Sequence, residues 1–242
     1  TLISPRQASD FAKSVAGDFN PLHDVDSKRF CVPGDLLFAL TLAKYGLYQR
    51  MHISFLGMVG KDVPLDFSDD SSGELRIVDG NGKEYLRVAR EGAVTTDQAV
   101  VRNLVCRYVE FSGQTFPDIL IPLLSKNNVM LNPERPLIIY QSMSIDLDHL
   151  NFSEPALELS NASLEVSGRR GEVRLEFHLT ACGESIGRGE KKMAISGLRE
   201  LDEEGVGRRV GSPPGISKGV HRSRLPQGVA QGEPRPARAY EE

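Results

Sequence analysis

Apolar residues along this chain change period several times, and the changes mark out its elements. Positions 36–47 read Leu-Leu-Phe-Ala-Leu-Thr-Leu-Ala-Lys-Tyr-Gly-Leu, an apolar run flanked by start and stop signals, which predicts a largely buried helix near 36–48. Positions 52–59, 74–78 and 84–88 follow as strands. Asp79-Gly80-Asn81-Gly82 between the last two is a hairpin signal, because Asn and Gly accept the positive φ of a tight turn, so that pair is antiparallel. A linking helix is predicted over 97–108. Positions 116–124 are then apolar enough for a second buried helix despite Pro122, followed by strands at 137–147, 157–166, 173–181 and 185–195. Gly168-Arg169-Arg170-Gly171 and Cys182-Gly183-Glu184 serve as turns, and the alternation over 173–179 suits a sheet with one wet face.

The order helix-then-strands is thus written twice, which predicts an N-terminal unit at 1–110 and a C-terminal unit at 111–202. From 203 to 242 the chain turns Gly-, Pro- and Arg-rich with almost no large apolar residues. Such a stretch buries too little surface to offset its ordering entropy, so a disordered tail is expected there.

Composition narrows the function classes. The 40% hydrophobic content of the 242 residues is ordinary for a globular protein able to bury a substantial core. No apolar run approaches membrane-spanning length and no signal-peptide pattern opens the sequence, so no membrane partner is expected. A net charge of −4 lacks the basic excess that phosphate contacts need, which argues against nucleic acid. Three isolated cysteines, Cys31, Cys106 and Cys182, suggest a reducing, cytoplasmic setting. No redox cofactor, nucleotide or metal motif stands out, and no cofactor is expected.

Chemistry concentrates in Gly17-Asp18-Phe19-Asn20-Pro21-Leu22-His23. The Asn-Pro pair favours a turn after a helix-like stretch. Asp18 and His23 can therefore face one point from either side, as a carboxylate and an imidazole able to share general acid and base work on one water. Two other readings stand beside this one. Asp-x-Asn-Pro is also a good Asx-turn, in which both side chains satisfy backbone donors. A metal site from Asp18, His23, Asp24 and Asp26 has suitable ligands but lacks calcium-loop or zinc spacing.

Phe11-Ala12-Lys13-Ser14-Val15-Ala16 followed by GDFNPLH resembles the signature of MaoC-like, (R)-specific enoyl-CoA hydratases. That resemblance implies the hotdog fold, with Asp18 and His23 as the acid/base pair that activates water and Asn20 as support. In that family the central helix starts at a glycine whose N–H helps hold the thioester oxygen, which makes Gly34 the matching position. The chain departs from the family around it. Pro33 and Asp35 stand where His and an apolar residue are usual, and the stretch from His23 to Gly34 is several residues shorter. An Asp35 aimed at the pocket would oppose an enolate, whereas one capping the helix would be mildly stabilising.

The implied architecture is α+β, a double hotdog of two antiparallel sheets, each wrapped around a central helix. Its second copy has no GDFNPLH, so a single site would lie where the copies meet. The expected substrate is an acyl-CoA or acyl-carrier-protein thioester of the trans-2-enoyl or (R)-3-hydroxyacyl type. A non-catalytic acyl-binding or regulatory module and a hotdog thioesterase are the alternatives. Homodimerisation is possible on the same resemblance, and the chain is also similar over most of 1–200 to an uncharacterised bacterial branch. His52, His149 and His178 read as surface or core residues, and Cys31 as apolar filler. Arg102, Arg107, Lys28 and Arg29 are candidates for ligand phosphates, with solvated charge as the plainer reading.

Overall fold

In the computed structural model, residues 1–69, 73–132 and 137–201 are described. The expected tail at 203–242 lies outside them. Ser4 opens the first helix, α1 (Pro5–Asp10), with a reciprocal cap to Gln7. A π-helical turn continues it over Phe11–Ala16, and Gly17 ends it in the left-handed region at φ 66°. Helix α2 (Gly34–Tyr45) follows, and its apolar composition matches its burial: Leu37, Phe38, Thr41 and Leu42 are all buried. Gly46 stops it at φ 86°, where a side chain would strike the Thr95 carbonyl.

The strands are β1 (Leu47–Phe55), β2 (Leu65–Asp69), β3 (Leu75–Asp79), β4 (Glu84–Thr95), β5 (Val129–Met130), β6 (Leu137–Leu147), β7 (Ala156–Ser167), β8 (Arg170–Ala181), β9 (Glu184–Ser196) and β10 (Arg199–Glu200). Eight of them form one antiparallel sheet in the order β2-β3-β4-β1-β6-β9-β8-β7, while β5 and β10 pair separately. Each half of the sequence supplies four neighbouring strands. The two separate sheets expected from the sequence are instead one, because β1 and β6 pair over Arg50–Ser54 and Ser142–Asp146.

Helix α3 (Gln98–Thr115) runs on through a π-helical segment (Phe116–Leu120) into α4 (Ile121–Lys126). The expected short helices at 97–108 and 116–124 are thus parts of one helical run. Pro117 and Pro122 each fall at the start of a new segment, where a missing N–H is best tolerated. Asp97 caps the run by accepting from the Ala99 and Val100 N–H groups. Two other expectations shift. The first long strand begins at Leu47 and ends at Phe55 instead of spanning 52–59, although the Leu56 N–H still donates to the Tyr85 carbonyl at 2.9 Å. Strand β2 was not legible, since only Leu65 and Phe67 carry its apolar face.

Two apolar clusters lie between helices and sheet. The larger joins α2 and α3 to the first half of the sheet through residues such as Phe38, Leu42, Ile53, Leu75, Leu86 and Tyr108, and continues across the seam to Met143, Ile145 and Phe177. The smaller packs Leu120 and Leu124 on Val173, Leu175, Met193 and Ile195. Each fully buried large side chain contributes roughly 1.5–3 kcal/mol. Phe38→Ala, at 0% exposure and in edge contact with Tyr108 at 4.9 Å, would cost about 3–5 kcal/mol. That packing holds α2 with its N-terminus directed at the cavity described next.

Candidate functional site

Backbone conformation at Gly17 decides where the motif points. After the left-handed residue, the Asp18 N–H donates to Ala12 O at 2.8 Å, and Asp18 Oδ1 accepts the Asn20 N–H at 2.9 Å. Asn20 Oδ1 in turn accepts the Leu22 N–H at 3.1 Å, capping a 3₁₀ turn at Pro21–His23 whose first residue is the proline. The Asx-turn reading of Asp18 and Asn20 therefore describes their local hydrogen bonds. It leaves Asp18 Oδ2 unused by the turn.

His23 leaves that turn into the interior, with 8% of its surface exposed. Its Nδ1 sits 2.7 Å from the Cys31 carbonyl, which can only accept, so Nδ1 carries a proton. Nε2 then faces Asp18 Oδ2 at 3.5 Å. Burial alone would raise the Asp18 carboxyl, but the hydrogen bond to His23, the Asn20 N–H and the charges of His23 and Lys191 outweigh it and hold it below its ordinary value. Burial alone would likewise lower His23, yet Asp18, the Cys31 carbonyl and the charge of Asp35 bring it above its ordinary value. Each group thus favours the charged form of the other.

The approach of α3 fixes the other side of the motif. A Cβ on Gly113 would lie 1.7 Å from the Ala16 carbonyl oxygen, so only glycine lets this helix seat against the turn.

Asp18, Asn20, His23 and Gly34 all line one cavity of about 610 Å³. Its walls combine the motif, the start of α2, residues 55–58, the C-terminal end of α3 and strand residues Ile138, Tyr140 and Met193. Both halves of the sequence therefore contribute. The mouth is apolar: Phe19, Leu56, Met58, Phe116 and Ile139 line it and are exposed.

Gly34 begins α2, where the Pro33 N-cap makes no side-chain hydrogen bond. The first N–H groups of a helix have no intrahelical acceptor and suit developing negative charge. A Cβ at Gly34 would lie 2.9 Å from Phe55 Cε1 and 3.3 Å from Tyr140 Cδ2, so those rings frame the helix start.

Asp35 neither caps α2 nor stands as an unmatched charge. It is buried at 4% exposure, accepts the Ser112 hydroxyl proton at 2.5 Å through Oδ2, and places Oδ1 3.9 Å from Lys191 Nζ. Burial raises Asp35 and lowers Lys191, and their mutual attraction works against both shifts. Sequence reasoning missed Lys191, Ser112 and Tyr140. The signal for Lys191 lay in the alternation of β9, where it shares the inward face with Met193 and Ile195.

The other candidates stand apart. His52, His149 and His178 are exposed, as are Lys28, Arg29, Arg102 and Arg107, and none lines the cavity. Arg107 pairs with Glu110 at 3.0 Å, and Asp24 pairs with Lys13 at 2.6 Å, away from a shared ligand site with Asp18. Among the described residues, no group of three or more His, Cys, Asp or Glu is disposed to hold a metal ion. No helix among them is long and apolar enough to cross a membrane.

Residues 1–204 match the family described as "Protein of unknown function (DUF3581)". The chain belongs to this family. No curated protein matches the DUF3581 chain. Among solved structures it is similar to a MaoC-like dehydratase at 10% identity, over 81% of this chain and 95% of that one, with a TM-score of 0.41. It is also similar to the full-length peroxisomal multifunctional enzyme type 2 of Drosophila melanogaster, at 11% identity over 82% of this chain and 47% of that one, TM-score 0.42. A third is acyl-CoA thioesterase II TesB2 of Mycobacterium marinum, at 10% identity over 70% and 90%, TM-score 0.40.

Proposed function

We propose that this DUF3581 protein is a double-hotdog hydratase or dehydratase of the MaoC-like type, acting on a trans-2-enoyl or (R)-3-hydroxyacyl thioester carried by CoA or a carrier protein. The observation that carries this reading is the meeting of Asp18 Oδ2 and His23 Nε2 at 3.5 Å on the wall of an apolar cavity shared with the first turn of α2. In the hydration direction, a water held between the two groups gives a proton to the carboxylate as its oxygen attacks C3. The imidazolium gives its proton to C2, and the Gly34 N–H meets the charge that develops on the thioester oxygen. The apolar mouth at Phe19, Leu56 and Phe116 suits an aliphatic chain. Asn20 supports the site by capping the turn that carries His23.

The test is loss of enoyl-thioester absorbance with crotonyl-CoA and longer trans-2-enoyl-CoAs. Asp18→Asn and His23→Ala should each lower kcat about 10²–10⁴-fold. Full activity in Asp18→Asn refutes the assignment.

One observation favours a second reading. Asp18 Oδ1 and Asn20 Oδ1 are both engaged in backbone turns, as in a non-catalytic acyl-binding module. In that case Asp18→Asn alters stability, leaves ligand affinity unchanged, and no thioester is hydrated.

A further inference from the structure

A fully buried lysine stands behind the candidate site. Lys191 is 0% exposed, although burying an ammonium is costly even when it is paired, and a methionine would fill similar volume without that cost. Its Nζ donates to Ser112 Oγ at 2.5 Å and lies 3.6 Å from the centre of the Tyr140 ring. Asp35 is its counter-ion at 3.9 Å. Ser112 in turn donates to Asp35, and the Tyr140 hydroxyl is 3.2 Å from Ser112 Oγ. With its proton on Asp35 and its lone pairs facing Lys191 and Tyr140, Ser112 has no lone pair left for attack, so this cluster is not a nucleophilic dyad.

Its connections lead toward the cavity instead. Tyr140 and Ser112 line the same space as Asp18 and His23. Tyr140 packs edge-on against Phe55 at 5.9 Å, and both rings abut Gly34. We infer that Lys191 is a positioning residue of the site: anchored by Asp35 and Ser112, its ammonium seats the Tyr140 ring beside Gly34 and supplies a fixed positive charge behind Asp18. This rests on the hydratase reading for its catalytic consequence; the seating of Tyr140 rests on the 3.6 Å contact with Lys191, and the charge role on the attraction by which Lys191 helps to lower Asp18. The charged and titratable groups acting on Asp18 are His23 from its own turn, Lys191 from β9, Asp35 from α2 and Tyr140 from β6.

Removing Lys191 alone strands Asp35, so the comparison is Asp35→Asn against Asp35→Asn/Lys191→Met, which differ by one charge. The readout is the carboxyl carbon-13 titration of Asp18, assigned by its absence in Asp18→Asn. It falls in an acidic range where even a strongly lowered lysine remains charged. The Asp18 midpoint should be higher in the double variant by at least about half a unit. With an enoyl-CoA substrate, kcat should be at least tenfold lower in the double variant, with KM within threefold. An unchanged midpoint overturns the inference, as does an unchanged kcat in an active enzyme. A shifted midpoint in a protein whose wild type hydrates no thioester supports the charge role and sinks the hydratase reading instead.

Discussion

Gly113→Ala isolates the contact that seats the motif. At this position the added Cβ would meet the Ala16 oxygen at 1.7 Å and its carbon at 2.7 Å. Both are backbone atoms, so no side-chain rotation relieves the overlap, and the helix and the turn must part by more than an ångström. Overpacking typically costs 1–3 kcal/mol and more where backbone must move, so a clash of this depth should cost about 3 kcal/mol or more. Alanine is the better helix former by about 1 kcal/mol, which leaves a net loss of at least about 2 kcal/mol. For a folded unit of this size that corresponds to a fall in Tm of roughly 4–8 °C. Urea unfolding and calorimetry of Gly113→Ala measure it, with Gly60→Ala as the control. Gly60 has nothing within 4 Å of its would-be Cβ, and its substitution should stay within about 0.5 kcal/mol. If Gly113→Ala is as stable as wild type, helix propensity has won, and the close approach of α3 to Ala16 does not hold the motif.

The pH dependence of stability has a defined sign. His23 lies above its ordinary value of 6.5 in the fold, so its contribution is complete below about 6.5 and is lost as pH rises through the higher folded value. The unfolding free energy should therefore decline across that window, and His23→Gln should flatten the decline; an identical slope in the variant would contradict the Asp18–His23 pairing. Asp18 has the opposite sign. Its lowered value gives stability that is present above about 3.8 and is lost as pH falls through the folded value, so Asp18→Asn should be less sensitive to acid than wild type. Thiol labelling separates the cysteines: Cys182 is exposed and should react within minutes at pH 8, whereas burial pushes Cys31 up to about 11 and should keep it unmodified until the protein unfolds. Rapid labelling of Cys31 in the native protein would show that its wall of the cavity opens.

What the sequence made legible depended on local chemistry. The turn at Cys182-Gly183 could be read because a two-residue hairpin needs positive φ, and the pair adopts 51° and 83°. Strand β8 was legible from the alternation over 173–179, and β6, β7 and β9 were placed within a residue or two of their observed ends. Strand β2 was not, because five residues with two apolar side chains give no period to recognise. The continuity of the helical run across 109–115 was not legible, whereas the helix through Pro117 and Pro122 was, and each proline falls at a segment start where a missing N–H is tolerated. The motif residues Asp18, Asn20 and His23 were legible as one short segment, and the structure places them with Gly34 around one cavity. Lys191, Ser112, Asp35 and Tyr140 come from four elements. Their convergence is a product of sheet order, which no spacing in the chain encodes.

The seam between β1 and β6 has a bearing on how the chain acquires its fold. Ile53 pairs with Met143, about ninety positions later, whereas β3–β4, β7–β8 and β8–β9 are joined by short turns. Contacts of low sequence separation form soonest, and the seam must wait for a long loop to close. Until it does, each four-stranded half presents a row of open amide and carbonyl groups along β1 or β6. Two newly made chains can meet through those rows, so the interval before seam closure is the period of greatest risk of intermolecular pairing. The relative rates of seam closure and chain encounter then set the yield of native protein at high concentration.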